Sequence, residues 1–142
     1  MSSSTIYDAF RALLTAQSYT VDPDGVHLED SALAVFETQA ELIYGDGWPS
    51  TNQSGGQLLN INRQLIVKQG VVVESGSAAR DDSQKEKVTA EEVVIKAFLN
   101  PANRPTGCRK IYLVSVTSEE SSASNFIVIA EFEIEYQLNL CA

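Results

Sequence analysis

Glu131, Glu133 and Glu135 occupy alternate positions of the stretch FIVIAEFEIEYQLNL, residues 126–140. On a β-strand, residues two apart share a face and lie roughly 6.5–7 Å from each other. Paired carboxylates at that spacing could act as acid and base on a single bond. Such chemistry also needs a cleft, aromatic platforms for the substrate and one acid with a raised pKa. The even positions are all apolar: Phe126, Val128, Ala130, Phe132, Ile134, Tyr136, Leu138 and Leu140. The glutamates therefore alternate with a core-facing row, as on the wet side of an antiparallel strand. The acids then face plain solvent, offset by Arg63, Lys68 or Lys110 across the sheet, or form a negative surface that repels a passing polyanion.

The remaining chemistry-bearing residues are sparse. His27, the one histidine, sits in the turn-rich DGVHLED beside Glu29 and Asp30 and reads as a solvated surface residue. Cys108 and Cys141 match no CxxC or ligand spacing and read as free thiols of a reducing cytosol. One histidine and two unrelated cysteines do not make a zinc site. DPDG is like the start of a calcium loop, but the later acidic positions and terminal Glu do not follow. The glycines of GDG and SGG lack the Lys-Ser/Thr and the strand–helix setting of a phosphate loop. Nothing favours a Ser/His/Asp triad. The expectation is a protein without catalytic residues, cofactor or metal.

The composition agrees with one soluble domain over residues 1–142: 44% hydrophobic, 20% charged. Nineteen acids against ten bases give a net charge of −9, which disfavours tight nucleic-acid binding but not a protein that DNA merely passes. No apolar run reaches the ~18–20 residues of a membrane helix. The opening MSSSTIYDAF has no basic segment followed by an apolar one, so cytoplasmic synthesis without secretion is expected.

The elements follow from periodicity. SSTIYDAFRALLTAQ places Ile6, Phe10, Leu13 and Leu14 on one helical stripe, with Ser3 or Ser4 as cap and TVDPDG as the stop. SALAVFETQAELIYG fits a helix through Leu33, Phe36, Ala40 and Ile43, and equally a strand with Ala34, Phe36, Thr38, Ala40, Leu42 and Tyr44 on one face. GDGWPSTNQSGG reads as a long loop, and LNINRQLIVKQGVVVES as a strand in which Gly70 marks a bulge or bend. GSAARDDSQKEK, without apolar anchors, reads as an exposed mobile loop. TAEEVVIKAFLN is a second helix with a Thr89/Glu92 capping box, a stripe of Val94, Ile95, Phe98 and Leu99, and a stop at Pro101 and Pro105. CRKIYLVSVTS and the final strand then pair as a hairpin around EESSAS. The expected fold is α+β: an antiparallel sheet of four strands or slightly more, two helices on one face, order αββαββ.

The succession SALAVFETQAELIYGD, NINRQLIVKQGVVV, a capped helix and KIYLVSVTSEESSASNFIVIAEFEIEYQL resembles the lambda-type tail terminators of long-tailed bacteriophages. The resemblance covers roughly residues 4–138 and rests on element order and hydrophobic spacing, with little to match in the loops after Tyr44 and Glu74. It implies that residues 32–44 are a strand. It further implies a virion protein, assembled in the host cytoplasm, that forms a hexameric ring on the head-proximal end of the tail tube. Its partners would be further copies of itself, the tail tube protein and the head–tail connector, with DNA as passing cargo and no membrane. Interface or lumen candidates are Trp48, beside Pro49, Arg80, in the 80–87 segment that would order on a neighbour, and Glu131, Glu133 and Glu135. Two other readings stand beside it: another neck or tail-completion protein, and a small α+β ligand-binding domain or enzyme, which would need a closed apolar pocket with converging polar groups.

Overall fold

The computed structural model describes residues 3–21, 39–49, 58–72, 79–122 and 125–139. The first helix, α1 (Ser3–Ala16), buries Ile6, Phe10 and Leu14, spaced i, i+4, i+8 along one side. Each such side chain contributes roughly 1.5–3 kcal/mol when removed from water. The helix ends within one residue of the expected Gln17, on a stop that lies before TVDPDG. Ser18 takes a left-handed φ of 71°, the Tyr19 N–H donates to the Leu14 carbonyl at 3.2 Å, and the Ser18 N–H donates to that of Thr15 at 3.0 Å. This is a Schellman stop with serine where glycine is usual. Thr20–Val21, expected as turn, forms a short strand, β1.

Strand β2 (Gln39–Pro49) settles the ambiguous stretch as strand from residue 39 onward; residues 32–38 lie outside the described residues. The strand continues through Gly45, Asp46, Gly47, Trp48 and Pro49, which were expected in a loop. A register shift between Tyr44 and Gly47 accommodates the glycines without ending the pairing. Strand β3 (Leu58–Val72) pairs with the last strand in unbroken register, Gly70 opposite Ile127, so Gly70 marks no bulge.

The second helix, α2 (Ala79–Leu99), starts far before Thr89. The expected loop over residues 80–87 is helix, and the Thr89/Glu92 capping box is overturned because both residues are interior. Ala, Arg, Gln, Lys and Glu are good helix formers and need no apolar stripe to continue an existing helix. Among its described side chains Val94 and Phe98 are buried, with Ile95 and Leu99 partly buried. Asn100 caps the 3-10 turn Pro101–Asn103 by accepting from the Ala102 N–H at 3.0 Å. Strands β4 (Cys108–Ser122) and β5 (Asn125–Asn139) form the predicted hairpin, longer than expected because Glu119 to Ser122 remain strand.

The strand order is β1-β2-β3-β5-β4. Four strands are antiparallel neighbours, as expected, and β1 adds a parallel fifth, so the sheet is mixed. Strands β3 and β4 run in the same direction with β5 inserted between them, which makes β3-α2-β4 a split β-α-β crossover. Both helices pack against the same face. Phe10 stacks on Phe98 at 5.1 Å and Phe98 on Phe132 at 5.2 Å, joining α1, α2 and β5 through one aromatic column. Tyr7 donates its hydroxyl to the Leu42 carbonyl at 2.9 Å and fixes α1 on β2. Gln69 is fully buried, and its Nε2 donates to the Tyr19 hydroxyl at 2.8 Å and the Ala90 carbonyl at 3.2 Å, linking β3 to the end of α1 and to α2.

Candidate interaction surface

From residue 128 to 136 the alternation of β5 divides the sheet as its sequence predicts, while Ile127, on the acid-bearing side, is also buried. Val128, Ala130, Phe132, Ile134 and Tyr136 are buried under the helices. Glu131, Glu133 and Glu135 lie on the opposite face and are partly buried. Directly opposed residues of an antiparallel pair share a face, so the register defines what accompanies each acid. Trp48, Asn62, Glu135 and Lys110 form one row across β2, β3, β5 and β4. Gln64, Glu133 and Tyr112 form the next, and Ile43, Ile66, Glu131 and Ser115 the one after.

The acids are partly spoken for. Glu131 Oε1 accepts from Gln64 Nε2 at 3.0 Å, and its Oε2 accepts from the Ser115 hydroxyl at 3.5 Å. Glu135 approaches Arg109 Nε at 3.9 Å. Arg109 falls at a register shift between Cys108 and Lys110, which brings it within reach of this face. Of the three expected counter-charges, only Lys110 stands opposite an acid of the row, Glu135. Lys68 lies on the same face opposite Ile129, beyond the row. Arg63 stands opposite Ile134 on the helix-covered face and does not offset the glutamates. Gln64 and Arg109 were not foreseen; pairing Gln64 with Glu133 requires a register that periodicity alone does not fix.

Arg63 instead organises a second cluster. Its Nη1 donates to the Gly45 carbonyl at 3.0 Å, its Nε to the Tyr136 hydroxyl at 3.4 Å, and its guanidinium lies 5.6 Å from the centre of the Tyr44 ring. Tyr44 meets Tyr7 edge to face at 5.1 Å. Burial, reinforced by the neighbouring Tyr136 and Cys108, pushes the Tyr44 hydroxyl well above its ordinary range, against the lowering effect of Arg63. The cluster is a polar seam between β2 and β3 at the edge of the core.

Trp48 is 41% exposed and projects from the acid-bearing face at the end of β2, not from a loop. Arg80 lies in the first turn of α2. Cys108 is a buried free thiol; Cys141 and His27 lie outside the described residues. Among the described residues no group of His, Cys, Asp or Glu could hold a metal ion, and no helix is long and apolar enough to cross a membrane. Neither a protein-family model nor a curated protein sequence matches the chain.

Proposed function

We propose that this protein is a phage tail terminator: a ring-forming virion component that caps the head-proximal end of the tail tube, ends its polymerisation and joins it to the head connector. The observation that carries the reading is the two-sided sheet. Both helices serve one face, while the other keeps a row of three glutamates, amides and an exposed tryptophan that a monomer's core does not use. The element order of the resemblance, helix, strand pair, helix, terminal hairpin, supports it as well. In the ring, the face of Glu131, Glu133 and Glu135 lines the lumen, where like charge lets DNA slide without sticking. Trp48 at the margin of that face anchors a neighbouring subunit or the tube.

The reading makes the protein structural. Its work is done by surfaces, and DNA is cargo. Mass measurement in solution, with negative-stain imaging of the protein mixed with tail tubes, tests it. The expected result is a six-membered ring seated at one tube end. A strict monomer that leaves tube ends bare at high concentration would sink the idea. The same images separate the tube end from the portal side, and so a terminator from another neck protein.

A further inference from the structure

Among the described residues strand β4 ends the strand order, with β5 as its neighbour on one side. Such an edge presents a row of unpaired N–H and C=O groups. Its centre is apolar and open: Tyr112 is 51% exposed, Leu113 38% and Val114 54%. Opposite charges stand toward its two ends, Lys110 before the apolar centre and Glu119 after it, both exposed. Neither has an ion-pair partner among the described residues.

The register shift between Leu113 and Ser115 decides which residues share a face. Lys110, Tyr112, Ser115, Thr117 and Glu119 stand opposite Glu135, Glu133, Glu131, Ile129 and Ile127, all on the acid-bearing face. Leu113 and Val116 stand opposite Phe132 and Ala130, on the helix-covered face. Lys110 and Glu119 are an odd number of residues apart, so a perfectly alternating strand would put them on opposite faces. The extra residue, Val114, brings them to the same one.

We propose that β4 pairs antiparallel with β4 of a second copy, about a two-fold axis passing between Val114 and Ser115. Lys110 then opposes Glu119 of the second copy, Tyr112 opposes Thr117, and Leu113 opposes Val116. Opposed residues must share a face, and every one of these pairs does. Without the bulge none of them would. The bulge itself falls on the axis, between the two paired flanks. The two-fold makes the Lys110–Glu119 contact twice, with each charge used once. The contact is isologous and closes at two copies. It is separate from the head-to-tail contact that a ring needs, and it does not rest on the tail-tube reading.

Sedimentation equilibrium of the full chain, with Lys110→Glu, Glu119→Lys and the double exchange, tests the pairing. The wild-type chain should dimerise reversibly. Each single reversal should weaken the dimer roughly ten- to thirty-fold, because two opposite-charge pairs become two like-charge pairs. The double exchange should restore the wild-type constant to within about two-fold. Circular dichroism should show unchanged folding, since both side chains are exposed. A wild-type monomer at every concentration overturns the proposal. So does any assembly, dimer or larger, that the single reversals leave unmoved, or a double exchange as weak as the two singles combined.

Discussion

Arg63 stands directly across from Gly47 in the β2–β3 register, and the missing side chain of Gly47 leaves the space its guanidinium fills. From that position Arg63 reaches the Gly45 carbonyl and lies over Tyr44, so one side chain spans the bulge that lets β2 continue to Trp48. The surface that presents Trp48 therefore depends on a contact made on the other face of the sheet.

A methyl group at position 47 would meet Arg63 Cζ at 2.9 Å and Nη2 at 3.0 Å. Both belong to the far end of a flexible side chain, so Arg63 moves and the backbone does not. Gly47→Ala should cost about 1–2 kcal/mol through the lost bond to Gly45. Arg63→Ala combined with Gly47→Ala should cost clearly less than the sum of the two single changes in urea unfolding. Simple additivity would show that the two residues act independently.

Ser18 pays for its left-handed backbone without gaining what glycine offers there. Ser18→Gly should raise stability by up to about 1 kcal/mol. The measurement is the denaturation midpoint. An unchanged or lowered midpoint would mean that α1 does not need this stop.

Burial pushes the Cys108 thiol up from 9.0 to about 11, against the lowering influence of Arg104 and of the Lys110 backbone. The folded chain thus holds this proton more tightly than the unfolded chain. The associated stabilisation is complete below about pH 9 and is lost as the pH rises through about 11. Comparing unfolding midpoints of the wild type and Cys108→Ala across that window isolates the effect. The wild type should lose stability more steeply; parallel profiles would exclude it.

Trp48→Ala should cost about 1 kcal/mol of unfolding free energy, well below the ~3–5 kcal/mol of truncating a core aromatic, because Trp48 is 41% exposed. In the proposed ring it should reduce assembly on tube ends severely. Imaging of tube ends beside urea titration separates the two. Equal loss of both would make Trp48 a folding residue.

What the sequence made legible was set by strong periodicity. The alternation of residues 128–136 specifies the helix-covered and acid-bearing faces of β5, and the i, i+4 spacing of Ile6, Phe10 and Leu14 specifies the packed side of α1. The start of α2 was hidden because residues 79–87 carry helix propensity without an apolar stripe, and polar composition alone suggests a loop. The β2 extension was hidden because GDGWP has the glycines and proline of a turn, while a bulge held by Arg63 absorbs them. Gln69 sits within an apolar strand and is buried because α2 and Tyr19 supply its partners, which only the tertiary arrangement reveals. For the surface, the acid row was plain, but Gln64, Ser115 and Arg109 join it through strand register.

A reconstruction of the protein bound at the end of a tail tube decides whether the acid-bearing face lines the hole of the proposed ring. The expected image is a six-fold ring with Glu131, Glu133 and Glu135 of every subunit pointing into the lumen. Those side chains pointing outward, or buried between subunits, would contradict it.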